Sequence, residues 1–294
     1  MNNINTLEQL RQCLTGVIPK IDKRADIQPL EFVINFIFCF LGDTNCVSLE
    51  SIRRYMKNQT EKDISDSGFC SILARKRLKN FLKTAVSKLL TQLGTTIIGP
   101  TGLLKQLGII DILIVDSTSF TLWDGASDAF PGVKTTAGIK LHTCFNPLTG
   151  KLTGFEMTPS STHDRKCFPD VQSLASKLVI VDLAYWDFCL LWAIDNIGGF
   201  FLSRIKAGSV VYITEFVKGH FSQKKIGQSL FSLPLKRKCG DIIEVKVEKE
   251  CKMGTLNCRA IGFWNPVNSC YHWYLTNLKM AAHLIYPLSL RKAN

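Results

Sequence analysis

Two carboxylates each end an apolar run. Asp116 follows "ILIV" (112–115) and Asp182 follows "LVIV" (178–181). Short, β-branched apolar runs of this kind predict buried strands, and a strand end is a rigid place from which to hold a ligand. If the two strands lie side by side and parallel, acids remote in sequence emerge at one sheet edge. Two close carboxylates repel each other, and burial raises the cost of ionising both. Cations relieve that cost. Hard divalent ions such as Mg²⁺ take oxygen ligands and keep positions for water and phosphate oxygens. Two such ions stabilise the attacking and leaving oxygens of a phosphoryl transfer. The plain alternative is that each Asp caps the loop after its strand.

The elements that must position these acids can be read from periodicity. Residues 1–104 read as helical: "TLEQLRQCLTGVI", "PLEFVINFIFCFLG", "SLESIRRYM" with Ser48 as cap, and one long helix from about Asp66 to Leu93. Arg75, Lys76, Arg77, Lys79, Lys83 and Lys88 decorate that last helix, as a solvated face or as a phosphate-contacting one. Residues 105–206 change character. The strand "IIDILIVD" is followed by the hairpin "GIKLHTCF"–"NPLTG"–"KLTGFEMT", a helix at about 167–177, the strand "KLVIVD", the helix "YWDFCLLWAIDNIG" and the strand "GFFLSRIK". The fourth strand needs a crossover helix to run parallel to the first. Residues 207–276 are β-rich and read as an insertion, with "KRKCGD" as a basic turn, and residues 277–294 return to helix.

Composition narrows the function classes. Net charge is +12, yet residues 106–205 hold 7 Lys/Arg against 10 Asp/Glu, an acidic stretch between basic flanks. That arrangement suits carboxylates holding cations while the flanks hold an anionic polymer. The 11 cysteines include no C-x-x-C pair, which argues against a disulfide framework. Cys239, Cys251, Cys258 and Cys270 lack the close pairing of structural zinc ligands, so they read as buried apolar thiols. The opening "MNNINTLEQLRQ" is polar, and "FVINFIFCFLG" (32–42) is too short to span a bilayer. A soluble cytoplasmic protein is expected, with no membrane partner.

Five motifs recur in a familiar order: "VDST" (115–118), "GIKLHTCFNPLTG" (138–150), "THDRK" (162–166), "VDLAYWD" (181–187) and "GGFFLSRIKAG" (198–208). In these, residues 106–208 resemble the insertion-sequence transposases of the DDE type, the IS-four family in particular. The resemblance implies an α/β fold: a ribonuclease-H-like mixed sheet with an N-terminal helical, DNA-binding region and a β-rich insertion. It implies Asp116 and Asp182 as the first two metal-binding, catalytic carboxylates, with two Mg²⁺ or Mn²⁺ ions. Tyr185 fits the tyrosine that follows the second acid, whereas Leu183 and Ala184 depart from the usual basic residue and glycine. Lys140 and His142 match a "K-L-H" strand near the DNA or the metal, and His163 and Asp164 match an "H-D" pair. Arg204 and Lys206 are expected at phosphate, with Arg75 and Lys79 as further DNA contacts.

The tail departs from the pattern. With Tyr286 as anchor, Ser289 takes the arginine position, Ala293 the glutamate position, and the lysine falls beyond Asn294. Glu215, Glu244, Glu248 and Glu250 lie in the β-rich stretch and are poor substitutes for a third acid. The resemblance thus implies a transposase acting on double-stranded element ends and target DNA, dimeric on DNA and associated with a bacterial nucleoid. Its activity is expected to be impaired by the missing acid. The competing expectations are a non-catalytic DNA-binding remnant that interferes with intact copies, and a ribonuclease-H-like nuclease unrelated to transposition.

Overall fold

A computed structural model describes residues 11–12, 14–15, 27–42, 48–92, 102–220, 225–233 and 235–285. The chain divides into two compact units, Met1–Leu93 and Gly94–Asn294. Most of "TLEQLRQCLTGVI", and the tail from Tyr286 in which a third acid was sought, lie outside the described residues. No described helix is long and apolar enough to cross a membrane.

The first unit is helical: α1 (Pro29–Gly42), α2 (Leu49–Thr60), α3 (Asp66–Ala74) and α4 (Lys76–Gln92). Pro29 opens α1, where its missing N–H costs nothing. Ser48 caps α2 as expected, in a reciprocal box with Ser51. The long helix expected over 66–93 is two helices, because Arg75 adopts an extended conformation between them. The break lets Phe69 of α3 and Leu78, Phe81 and Ala85 of α4 share one core with Phe32, Val33, Ile52 and Met56. Arg53, one of the basic residues here, has a structural task. It pairs with Glu50 and Asp66, each at 3.0 Å, and donates to the Ile64 carbonyl at 2.9 Å.

The second unit is built on one nine-stranded mixed sheet, of the ribonuclease-H-like kind. The strands are β1 (Asp111–Thr121), β2 (Gly138–Asn146), β3 (Lys151–Pro159), β4 (Lys177–Val181), β5 (Phe200–Arg204), β6 (Tyr212–Lys218), β7 (Ile242–Cys251), β8 (Gly254–Asn265) and β9 (Cys270–Thr276). Their spatial order is β3-β2-β1-β4-β5-β9-β8-β7-β6. The β-rich stretch therefore extends the same sheet. The neighbouring pairs β1–β4 and β4–β5 are parallel, and the other neighbouring pairs of this sheet are antiparallel. The β2–β3 hairpin turns through "NPLTG" as read, with Gly150 at φ 67°.

The crossover from β3 to β4 differs from expectation. In place of an α-helix at 167–177 there are two 3₁₀ turns, Asp164–Cys167 and Val171–Leu174. Pro169 lies between them; it lacks an N–H and disfavours helical backbone at Phe168. The return from β4 to β5 uses α6 (Phe188–Asn196), after the short α5 (Gly102–Gln106) that precedes β1. Gly198 ends the connection at φ 75°. Gly199 follows, where a Cβ would come within 2.8 Å of the Leu174 carbonyl.

Two cores cover the two sheet faces. Leu113, Val115, Val179, Val181 and Phe201 face one, with Tyr185 and Leu191 packed over them. Ile112, Leu178, Ile180 and Leu202 face the other, under Leu104, Leu278, Met280, Ala282 and Ile285. Arg259 of β8 anchors the segment over this second face. It donates to the carbonyls of Leu278 and of Met280, the latter at 2.7 Å, and pairs with the buried Glu244 of β7 at 2.7 Å. Removing one partner of a buried pair strands the other charge at about 3–5 kcal/mol. Arg259→Ala is therefore expected to lower the unfolding free energy from urea melts by that much, and the midpoint with it, whereas Lys246→Ala, whose pair with Glu215 is exposed, should cost under about 1 kcal/mol. Equal midpoints for the two variants would contradict this assignment.

Candidate active site

The register of the parallel strands decides where the acids meet. Ile114 pairs with Ile180 and Val115 with Val181, so the next residues in line are Asp116 and Asp182. On the other side of β4, Val181 pairs with Ser203, so the residue abreast of Asp182 is Arg204. Adjacent strands are about 4.8 Å apart. Asp116, Asp182 and Arg204 thus form a row where the β1–β4 ladder ends: β4 and β5 stop there, whereas β1 runs on to Thr121 beside β2 alone. By alternation all three share the face of Ile112, Ile180 and Leu202. Both acids are half-buried and Arg204 is exposed.

Each acid also has a local role. Asp182 caps the 3₁₀ turn Leu183–Tyr185, its Oδ1 accepting from the Ala184 N–H at 2.9 Å. Leu183 and Ala184, which depart from the family pattern, lie in this turn. A carboxylate has about four acceptor positions, so a cap leaves it able to hold a cation. The Asp116 carbonyl accepts from the Thr143 hydroxyl at 3.4 Å. The acid pair offers hard oxygen donors, the kind that Mg²⁺ and Mn²⁺ take. Among the described residues no third His, Cys, Asp or Glu joins the two to form a metal cluster.

Other expected contacts sit elsewhere. Lys140 and His142 alternate with Thr143 on β2 and so face the opposite side of the sheet, together with Ser117 of β1. His142 is buried, with Nε2 2.9 Å from the Thr158 hydroxyl. Lys140 donates to the Thr162 carbonyl at 2.9 Å and pairs with Asp164 at 3.3 Å. The 3₁₀ turn that begins at Asp164 is capped by His163, whose Nδ1 accepts from the Arg165 N–H at 3.3 Å. Asp164 instead accepts from the Ser117 hydroxyl at 2.6 Å. Lys206 and Arg75 are exposed; Lys79 lies on α4, its side chain outside the described ones.

Sequence reasoning missed several of these partners. Ser117 was visible only as one of a run of hydroxyls, and the Arg165–Asp187 ion pair joins two motifs that were read separately. Tyr185 is fully buried, and its ring packs on Phe168 at 5.7 Å. Burial pushes its phenol well above the ordinary tyrosine range, reinforced by Asp164. The nearby Ser117 hydroxyl offsets this only in part, short of a formed hydrogen bond. On β9, His272 is held below the usual histidine range by burial and by the Arg204 charge beside it.

A cleft of about 410 Å³ opens on the face away from the acids, lined by His142, Cys144, Glu156, Cys167 and Lys177 among others. Neither Asp116 nor Asp182 lines it. Both acids are half-buried where the β1–β4 ladder ends. The four late cysteines are not gathered: Cys258 is buried opposite Val247, while Cys270 is exposed at the start of β9, opposite Asn265.

Burial holds His142 below the ordinary histidine range, with Asp164 and Glu156 opposing and Lys140 reinforcing that effect. The unfolded chain, with histidine near about pH 6.5, then takes up the proton first. The stabilising contribution is present above that value and is lost as pH falls through the lower folded value. The urea midpoint is expected to fall between pH 7 and 5.5, and His142→Gln should flatten that slope. An unchanged slope would assign the effect to the similarly shifted His272.

Residues 108–264, more than half of the chain, match the family described as the transposase DDE domain. A transposase for insertion sequence element IS231E, from Bacillus thuringiensis subsp. finitimus, is 28% identical over 109 residues. That stretch covers 35% of this chain and 22% of the relative, so the chain matches under a quarter of that protein's length.

Proposed function

The chain belongs to the transposase DDE domain family, and from that premise we propose that it acts on DNA as a DDE-type transposase. The reading rests on one observation: the β1–β4 register sets Asp116 and Asp182 abreast on a single sheet face. In this reading the two carboxylates hold divalent ions, Mg²⁺ or Mn²⁺. When bound, two such ions supply charge stabilisation for the attacking and leaving oxygens of an in-line phosphoryl transfer. Asp116 and Asp182 fix the position of that chemistry. Arg204, next in the row, meets a phosphate of the strand laid across the edge, and Lys206 a neighbouring one. The helical unit, with Arg75 and Lys79, grips element-end DNA. Cleavage at the element ends and strand transfer into target DNA follow, on an assembly that is dimeric on DNA.

The test separates metal from DNA. Mn²⁺ titration of the intact chain is expected to show binding that Asp116→Asn and Asp182→Asn each weaken. The loss should exceed the 10–100-fold that removal of an outer-shell partner typically causes. Nicking of element-end DNA should require Mg²⁺ or Mn²⁺ and fail in both variants. If both variants bind Mn²⁺ and nick as the parent does, the catalytic reading is wrong and DNA binding alone survives. For the phosphate contact, Arg204→Ala should reduce the slope of log affinity against log salt by about 1. An unchanged slope would remove Arg204 from the DNA interface.

A further inference from the structure

The acids stand at the point where the backbone stops holding them together. The β1–β4 ladder ends at Val115↔Val181, and Asp182 already lies outside the strand. Beyond that point β1 keeps only β2 as a partner, while the chain after Asp182 turns away. Metal ligands must stay within about 0.5 Å of their working positions. Something other than the ladder has to fix the two strand ends relative to each other.

We propose that Asp164, on the sheet face away from the acids, is the positioning residue that locks the Asp116 and Asp182 strand ends together. Its Oδ1 accepts from the Ser117 hydroxyl at 2.6 Å, and Ser117 is the residue after Asp116. The turn that carries it, Asp164–Cys167, packs on the turn Leu183–Tyr185 that Asp182 caps. Two further contacts close the link: the Phe168 ring rests on Tyr185, and Arg165 pairs with Asp187, the cap of α6. Lys140, at 3.3 Å, supplies the counter-charge for Asp164 and is itself fixed by the Thr162 carbonyl at 2.9 Å. His142 adds its Nδ1 3.7 Å away. The Asp164 carboxylate and the turn that carries it thereby join the residue after the first acid to the turn after the second. The "THDRK" motif then serves the acid pair from behind, without reaching substrate.

This rests on the metal-binding reading of Asp116 and Asp182 for its consequence, but the positioning itself can be measured without metal. The Ala184 amide, which donates to Asp182, reports directly on that side chain. In the intact chain, Asp164→Ala and Ser117→Ala are each expected to speed amide exchange at residues 116–118 and 183–185 by about tenfold or more. Exchange in β7–β9 should stay unchanged. Asp164→Asn, which can still accept from Ser117, should restore much of the protection. Mn²⁺ affinity should fall about 10–100-fold in Asp164→Ala and in Ser117→Ala. Ser117→Ala tests the link even if Asp164→Ala fails to fold. Unchanged exchange in folded Asp164→Ala or Ser117→Ala overturns the proposal. Faster exchange with Mn²⁺ binding that Asp116→Asn does not weaken supports the positioning and instead overturns the metal reading.

Discussion

Everything at the site depends on the register of three buried parallel strands. Asp116 and Asp182 are poor neighbours. What holds them abreast is apolar. Ile112, Leu178, Ile180 and Leu202 fill one face, and Leu113, Val115, Val179, Val181 and Phe201 the other, all of them buried. Each such side chain contributes about 1.5–3 kcal/mol of burial. A slip of one residue would turn every one of them to the wrong face. The cores thus fix two acidic side chains on neighbouring strands, on one face of the sheet.

The two faces of the sheet divide the work. One carries Asp116, Asp182 and Arg204 toward the open edge. The other carries Ser117, Lys140, His142 and Asp164, whose polar groups are largely spent on one another and on Thr158 and Thr162. Alternation along β1 makes this division unavoidable, because Asp116 and Ser117 must point opposite ways. A residue that follows a metal ligand in sequence is thereby well placed to hold it from behind.

Much of this was legible in the sequence, for a definite reason. The runs "ILIV" and "LVIV" are apolar at every position, which only a strand covered on both faces explains, and such strands are usually parallel. From that, the pairing of Asp116 with Asp182 follows. The Ser48 cap and the β2–β3 hairpin were equally local signals. The failures were of another kind. The break at Arg75 has no Gly or Pro to announce it, and exists because the helix on either side of it turns into one core. The crossover at 167–177 had apolar spacing enough to suggest a helix, and Pro169 overrode it. The placing of Lys140 and His142 on the far face needed the β1–β2 register, which a single strand pattern does not contain.

The same geometry constrains where a third oxygen ligand could come from. It must arrive over the face that Asp116 and Asp182 share. The glutamates of β7 do not satisfy this, since β7 lies four strands from β4, about 19 Å away at ordinary strand spacing. Glu244 is in addition committed to Arg259. The chain does cross the correct face, however. Arg259 fixes the carbonyls of Leu278 and Met280, and Ala282 and Ile285 then pack on the core beneath the acids. A side chain delivered from that direction would meet the acid pair on the face opposite Asp164.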